Sequence, residues 1–486
     1  MAGKKSSWAV NQTIPLEERR KVGTLVYTQA GLITLFFWML WGDFFFTLLE
    51  IIPRSLFPLH LKWIGADDMT NSLLISTYPH IIGVIVCPII SFKSDHLRSR
   101  WGRRIPYIIA TAPFLVMCLA IMGFTDSIRA FVSLPCVAGA FDFCGISQQG
   151  ALIAVVGALM LGFAFFNEFV NSLYWYLFAD VVPAAYLGRF LALFRMVGIA
   201  AQFVFSMWVF PHAEGHLAEI YTTIAVLYLV GFSLMCWRVK EGEYPPVPVD
   251  VGGKPSLLRN IRLYVTECFL SHRVYAFLYL HSALLACASV GLTFHSIFAR
   301  MQLKLSLQQI GDVAAWTSVA TFCMAYPLGM FVDRRNPIIL TFVMTLFIIP
   351  VHILSYFFKV DYISFLVFAI ILLGINGLFS AAHMPMLVTI LPKEKYGQFC
   401  SANGMAKGFG TMIGGMGVGL FLKYMDVHTP GENTHYRWIF IWVGLLQIAS
   451  LTALFFLYRE WQRLGGKSGY TAPASWRECE PQVGNL

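Results

Sequence analysis

The chain has 486 residues, of which 57% are hydrophobic and only 13% are charged. Its mean hydropathy of +0.66 excludes a soluble globular protein of this length. The formal charge of +9 comes from basic residues in the predicted loops, so we attribute it to membrane topology and not to nucleic-acid binding. The composition therefore predicts a polytopic membrane protein.

Twelve apolar stretches of about 20 residues predict an all-α membrane protein. In chain order they cover 27–50, 71–92, 105–125, 151–179, 188–210, 218–237, 274–299, 311–332, 338–358, 362–390, 398–422 and 437–458. Basic residues concentrate in alternate loops, which predicts a multi-pass protein of the cell membrane with both termini in the cytoplasm. The first stretch is too long for a signal peptide and is expected to direct insertion itself.

The sequence after the fourth stretch, 182–190, is echoed after the tenth, 391–399, with proline, glycine and phenylalanine at the same spacing. A second echo pairs the loop after the second stretch with that after the eighth. Duplicated halves are the arrangement of the major facilitator fold, here with twelve helices in two six-helix halves. The predicted divisions are a cytoplasmic N-terminus at 1–26, a first half at 27–237, a cytoplasmic linker at 238–273, a second half at 274–458 and a cytoplasmic C-terminus at 459–486.

The second echo predicts a charged cytoplasmic gate. An acid ends one helix, arginines follow, and a proline starts the next helix, which gives a short and rigid hinge. Any single arginine could instead serve only to fix topology. The candidate gating residues are Asp95, Arg98, Arg100, Arg103, Arg104, Asp333, Arg334 and Arg335.

Ionisable side chains lie deep inside several apolar stretches: Asp43, Glu168, Arg195 and Lys407. Each costs about 2.5–3.5 kcal/mol at mid-membrane depth, so it is retained where it faces a wet cavity, pairs with an opposite charge or carries function. Two acids and two bases on separate helices predict a polar cavity in the helical bundle, and hence a transporter.

Glu168, Asn171 and Trp175 share one helix face, and this combination of acid, amide and indole suits the hydroxyls and apolar face of a pyranose. Arg195 is expected to hold Glu168 or Asp43 in its charged form. The second half is expected to contribute Asn376, His383, Asn403 and Lys407 to substrate binding. Three alternatives remain: Asp43 and Arg195 as a structural pair, Trp175 as an interfacial anchor, and the buried histidines as packing residues.

The chain resembles the glycoside-pentoside-hexuronide:cation symporter family, most clearly in the loop 98–106 (RSRWGRRIP), and more loosely the sucrose–proton symporters. The resemblance implies that Asp43 contacts sugar, and that Asn171 and Trp175 occupy the places of a sugar-binding aspartate and tryptophan. It also implies functional roles for Arg195 and Lys407.

Two departures bear on the coupling ion. Asparagine stands at 171 where the family has aspartate, and the paired second-helix acids that bind sodium in one family member map onto Gly83 and Cys87. The sequence therefore favours protons, with Asp43 or Glu168 as the proton carrier.

The leading hypothesis is a proton-coupled sugar or glycoside symporter that works by alternating access as a monomer in the lipid bilayer. The alternatives are a facilitator or antiporter of another polar organic solute and, less favoured, an integral membrane enzyme. We expect neither enzymatic activity nor a cofactor or resident metal, because the sequence offers no metal-spacing motif, nucleophile elbow or phosphate loop. Cys136 and Cys144 share an outward loop, where a disulfide between them is one alternative.

Overall fold

The computed structural model describes residues 20–183, 185–243, 257–333, 336–357, 361–393, 395–429, 431 and 433–473. These residues are mainly helical, with one short antiparallel pair formed by β1 (Lys21–Val22) and β2 (Leu25–Val26). The chain forms two compact units.

The first unit contains the described residues within 1–65 and 82–249. Its helices begin with α1, which passes through a π-helical turn at Ile52–Leu56 into α2, and Pro53 lies within that turn. In chain order, α1 to α10 are Gln29–Ile51, Phe57–Trp63, Asp68–Ser72, Tyr78–His96, Ile105–Gly123, Thr125–Val132, Pro135–Phe143, Gln148–Val181, Leu187–Val204 and Leu217–Arg238, of which α3 and the beginning of α4 belong to the second unit. Further turns of the first unit are π-helical at Phe205–Val209 and 3-10 at Phe210–His212, and a π-helical turn at Leu73–Thr77 belongs to the second unit.

The second unit contains the described residues within 66–81 and 250–486, so α3 and the beginning of α4 group with it. α11 to α19 are Leu257–Phe269, Arg273–Val290, His295–Ile297, Leu307–Asp333, Pro337–Phe357, Tyr362–Ile390, Tyr396–His428, Trp438–Arg463 and Gly466–Gly469. Shorter turns lie at Gly291–Phe294, Phe298–Gln302 and Thr434–Arg437.

Eleven helices of the described chain are long and apolar enough to cross a membrane. They correspond to eleven of the twelve predicted spans. The remaining prediction, 311–332, coincides with α14, a single helix of 27 residues that is not among the eleven. The prediction of an all-α, multi-pass membrane protein is confirmed.

The first sequence echo has the same local structure in both units. α8 ends at a C-cap, Val182, and α16 ends at Leu391; each cap donates its N–H to the carbonyl four residues earlier at 2.9 Å. The next helix then begins, and the echoed phenylalanines, Phe190 and Phe399, are both buried. The common spacing therefore reflects a helix–turn–helix unit that occurs twice.

Each unit has its own apolar core. In the first, Tyr174 lies with its ring centroid 4.6 Å from Phe178 and 5.1 Å from Phe232, which joins α8 to α10. In the second, Tyr275 lies 4.7 Å from Phe399, which joins α12 to α17. Aromatic packing of this kind fixes the helices that carry the polar residues.

Candidate functional site

Asp43 lies in α1 and is 1% exposed. Its side chain interacts with Thr47, one turn later, while Oδ2 is buried and has no hydrogen-bond partner among the described residues. The neighbouring Gly42 allows close packing, since a Cβ there would lie 2.9 Å from Met235 on α10. The first unit thus holds a buried carboxyl group that has no ion-pair partner among the described residues.

Glu168 lies in α8 and contacts the helix that carries Cys87. The Cys87 thiol donates to Glu168 Oε2 at 3.3 Å and lies 3.3 Å from Ser172 Oγ. A Cβ at Gly83 would lie 3.4 Å from the Glu168 carboxyl carbon. Positions 83 and 87 therefore face Glu168, and this part of the unit offers one carboxylate, one thiol and the Ser172 hydroxyl.

A third acid lies close to these two. Glu50 Oε1 accepts from Asn167 Nδ2 at 3.2 Å, and Glu50 Oε2 lies 2.6 Å from Arg54 Nη2. The Arg54 side chain is 73% exposed, so the pair opens to the surface. Glu50 was not predicted as a site residue, although it lies seven residues after Asp43 on the same helix face.

Asn171 and Trp175 are joined directly, since Trp175 Nε1 donates to Asn171 Oδ1 at 3.1 Å. The indole is 48% exposed and packs at one edge against Phe178 and Phe194, each 5.3 Å away between ring centroids. An indole held this way presents an open face that a sugar ring could cover.

Arg195 does not make the predicted ion pair. It lies in α9 with an exposed side chain, and no ion pair to Asp43 or Glu168 is found in the described chain. The prediction failed because an apolar span gives little indication of which of its faces turns inward. A binding role for Arg195 stays a prediction.

The second unit contains the predicted basic residue. Lys407 lies half-buried in α17, and within the described residues no carboxylate is in ion-pair distance of its amine. Asn403, one turn earlier, is 2% exposed, and its Oδ1 has no described hydrogen-bond partner.

His383 and Asn376 lie in α16. The His383 imidazole is buried and stacks on Phe379 at 5.7 Å, with His281 at 6.4 Å between ring centroids. Neither ring nitrogen of His383 has a hydrogen-bond partner in the described structure. Asn376 instead donates to the Leu372 carbonyl of its own helix at 2.9 Å.

Three of the predicted gating residues, Asp95, Arg103 and Arg104, belong to one charged network in the first unit, and their gating role stays a prediction. Arg103 donates twice to Asp180, with Nε 3.1 Å from Oδ2 and Nη2 2.5 Å from Oδ1. Arg104 donates to Asp180 Oδ2 at 3.1 Å and to Asp95 Oδ1 at 2.6 Å, and also to Ser94 Oγ. The ends of α4 and α8 are therefore fastened to the start of α5.

Glu241, which follows α10, completes this network. Its carboxylate accepts from the backbone N–H groups of Arg103, Arg104 and Ile105, each at 2.9 Å. These are the free donors at the beginning of α5, where the helix dipole also favours an anion. Gly102 is required here, because its φ is +98° and a Cβ would collide with Glu241.

The other gate candidates do not all join the network. Arg98 donates to the carbonyls of Asp95 and Leu97, whereas Arg100 is exposed and makes no ion pair within the described chain. Arg334 and Arg335 lie outside the described residues, as does the side chain of Asp333. Their gating role stays a prediction.

Asp180 and Glu241 were not predicted as members of this network. Both are acids at the ends of apolar spans, on the side where Lys and Arg dominate the loops. An acid in that position is a usable signal, because it has arginines nearby with which to pair. Cys136 and Cys144 are two free, exposed thiols, so no disulfide joins them.

Replacing Asp180 with asparagine is expected to destabilise the protein, because two arginines lose their shared acceptor. Removing one partner of a buried ion network costs about 3–5 kcal/mol, and less where water reaches the charges. The thermal unfolding temperature of purified Asp180→Asn should fall clearly below wild type, while Arg100→Gln in the same loop should match wild type. Equal unfolding temperatures for all three proteins would show that the network adds no stability.

The sequence profile of the Major Facilitator Superfamily matches residues 282–479, which lie in the second half of the chain. A bacterial homologue of the human lysosomal transporter Spinster has a similar structure, with a TM-score of 0.63, 12% identity and coverage of 91% of this chain and 98% of the other. A D-xylose–proton symporter gives a TM-score of 0.59 at 12% identity, covering 88% of this chain and 97% of the other. A nucleoside transporter gives 0.57 at 13%, covering 88% and 98%.

These likenesses extend over nearly the whole of each solved structure, and at such low identity they show the fold alone. The chain has the major facilitator fold. These comparisons support the fold, and the resemblance to the glycoside-pentoside-hexuronide:cation symporter family stays a prediction.

Proposed function

We propose that this chain is a secondary active transporter that carries a sugar or glycoside together with protons by alternating access. The observation that carries the proposal is Asp43, a carboxyl group 1% exposed inside a membrane span, with no basic partner among the described residues. An ionised carboxylate in such a place is strongly disfavoured, whereas its protonated form is tolerated. A group that must take up a proton to remain buried is suited to coupling proton movement to helix movement.

The sugar part of the proposal is supported by Asn171 and Trp175. The exposed indole offers a flat apolar surface, and Asn171, held by the Trp175 N–H, still has its own amide donors for a hydroxyl. Glu168, one turn before Asn171, adds an acceptor. The similar solved structures are described as carriers of quite different solutes, so the fold itself does not select a substrate.

We assign Arg195 in the first unit, and His383, Asn376, Asn403 and Lys407 in the second, to solute binding as well. His383 and Asn403 have buried polar atoms that lack partners in the described chain, as expected of groups that a solute satisfies. We further propose that the protein is a monomer in the cell membrane with both termini in the cytoplasm, which places the Arg103–Asp180 network on the inner face.

Proton coupling is favoured over sodium coupling by the surroundings of Glu168. Sodium is a hard cation that requires several oxygen ligands, but Cys87 and Gly83 supply a thiol and no side chain beside this carboxylate.

The test is uptake of a panel of radiolabelled sugars into proteoliposomes. Uptake should be unchanged when sodium is replaced by potassium and should collapse when a protonophore dissipates the proton gradient. Sodium-dependent uptake that survives the protonophore would contradict proton coupling. Uptake indifferent to both ions would instead identify a facilitator, and absence of uptake for every sugar would reject the substrate class.

A further inference from the structure

A cavity of about 580 Å³ lies at one end of the first unit, and none of the proposed solute-binding residues lines it. Its walls come from the end of α2, the turn that joins α5 to α6, and residues 214–218, which lead into α10. The volume is within the range of roughly 300–1,000 Å³ that is typical of small-molecule pockets. The cavity is therefore large enough to hold a small organic group.

The walls of the cavity are fastened to one another by a buried histidine and a close helix contact. His60 of α2 has its Nδ1 3.2 Å from the Tyr221 hydroxyl of α10 and its Nε2 2.8 Å from Thr125 Oγ1 of α6. At the end of α5, a Cβ at Gly123 would lie 2.8 Å from Tyr221 Cβ. The helix ends that enclose the cavity are thus held together by the folded protein, without a ligand.

Three charged side chains line the cavity: Asp126 and Arg129 on α6, and Glu214 before α10. Asp126 and Arg129 are exposed and lie three residues apart on one helix face, yet neither forms an ion pair within the described chain. Both signs of charge are therefore available to a ligand. A purely anionic ligand would meet two carboxylates, whereas a zwitterion matches the guanidinium and the acids together.

The cavity adjoins an apolar strip on the surface of α5. Phe114, Met117 and Ile121 recur at helical spacing and are between 42% and 51% exposed. Phe124, which follows α5, continues the strip, is 45% exposed and lines the cavity. Because α5 is long and apolar enough to cross a membrane, exposed side chains of this kind face lipid chains. The strip therefore leads from the depth of the lipid chains to the charged cavity.

We infer that the cavity binds the headgroup of a zwitterionic phospholipid that carries a primary amine, the chemistry of phosphatidylethanolamine. Arg129 pairs with the phosphate, Asp126 accepts from the ammonium group, and Glu214 adds negative charge in the same cavity. The acyl chains lie along the strip on α5. Under the proposed orientation, the lipid belongs to the outer leaflet.

This assignment predicts an order of affinity among headgroups. A primary ammonium group offers three N–H donors to the acids, whereas the trimethylated ammonium of phosphatidylcholine offers none. Phosphatidylglycerol has no cation and brings only a negative charge to the two carboxylates. Phosphatidylethanolamine should therefore bind most tightly, phosphatidylcholine less tightly and phosphatidylglycerol least.

Native mass spectrometry of the detergent-purified, full-length protein tests the site, with the three lipids added at identical acyl chains. Wild type should bind phosphatidylethanolamine on the order of tenfold more tightly than phosphatidylglycerol, as expected of a charge-assisted hydrogen bond. Asp126→Asn should lose most of this preference. Arg129→Gln should weaken all three lipids to a similar extent, because all three carry the phosphate.

Asp142→Asn is the matched control, since Asp142 is an exposed carboxylate of the same unit that does not line the cavity. It should bind all three lipids as wild type does. Asp126 and Arg129 are exposed, so their replacement should preserve the fold, and equal unfolding temperatures of the lipid-free proteins check this. Equal binding of phosphatidylethanolamine and phosphatidylglycerol by wild type, or an unchanged preference in Asp126→Asn, would overturn the inference.

A soluble zwitterion is the other source of the same headgroup chemistry. Glycerophosphoethanolamine, which has this headgroup and no acyl chains, should fail to displace the lipid at equal concentration, because it gains nothing from the strip on α5. Displacement would show that the cavity takes a soluble zwitterion and would overturn the lipid assignment. No transported solute is present in these experiments, so their outcome is independent of whether the chain carries sugar.

Discussion

Replacing Asp43 with asparagine is expected to abolish uphill accumulation of solute while exchange of solute across the membrane continues. The amide keeps the shape of the carboxyl group and can still bond to Thr47, but it cannot gain or release a proton. A transporter that has lost its proton carrier can equilibrate solute but cannot use a proton gradient to concentrate it.

Two measurements on proteoliposomes separate these effects: proton-driven uptake, and counterflow, in which labelled solute enters in exchange for unlabelled solute inside. Asp43→Asn should lose the first and retain the second. Asp142→Asn is the control, because Asp142 is an exposed carboxylate of the same unit and should retain both activities. Wild-type accumulation by Asp43→Asn would remove Asp43 from the coupling mechanism.

The helices could be predicted from the sequence because each span must satisfy its own backbone in lipid and must be apolar along about 20 residues. The duplication was also readable, since Pro183 and Pro392 end equivalent helices and the following glycine and phenylalanine keep their spacing. Local rules of this kind act within a few residues and need no knowledge of the packing.

The partners of individual charges were harder to predict. Arg195 was expected to pair with Glu168 or Asp43, yet Asp43 is buried and Arg195 is exposed. A span that is apolar on several faces does not show its rotation about its own axis, so burial depth is predictable but direction is not. For the same reason, the contact between Cys87 and Glu168 could not be predicted from the sequence.

Contacts between residues far apart in the sequence were also not predicted. Asp68 and His435 are separated by 367 positions, and Arg104 and Asp180 by 76. Each lies at a helix end, where an acid or histidine normally meets water, so exposure was the simpler expectation. Only the packing of α17 against 66–81, made possible by Gly415 and Gly419, brings the first pair together.

The glycines of α17 lead to the prediction with the largest expected effect on stability. Gly410 faces α12, and a Cβ there would collide with the Ala283 carbonyl oxygen and lie 2.7 Å from the carbonyl carbon. Backbone atoms cannot rotate away as a side chain can, so Gly410→Ala must push α12 and α17 apart. Overpacking of this kind costs roughly 1–3 kcal/mol, and more where the backbone has to move.

Gly404→Ala is the matched control on the same helix. A Cβ at Gly404 has no neighbouring atom within 4 Å, so this replacement adds a methyl group into open space. Alanine also favours the helix over glycine by up to about 1 kcal/mol. The two variants therefore make the same chemical change in one helix, and they differ in what the new methyl group meets.

The measurement is thermal unfolding of both purified variants beside wild type, together with the yield of monodisperse protein. Gly410→Ala is expected to unfold at a clearly lower temperature, or to give little folded protein, while Gly404→Ala unfolds at or above the wild-type temperature. Equal unfolding of Gly410→Ala and Gly404→Ala would mean that α12 and α17 are not in close contact at this position. Destabilisation by both would point instead to a need for glycine flexibility along α17, because only the Gly410 methyl group meets a neighbouring helix.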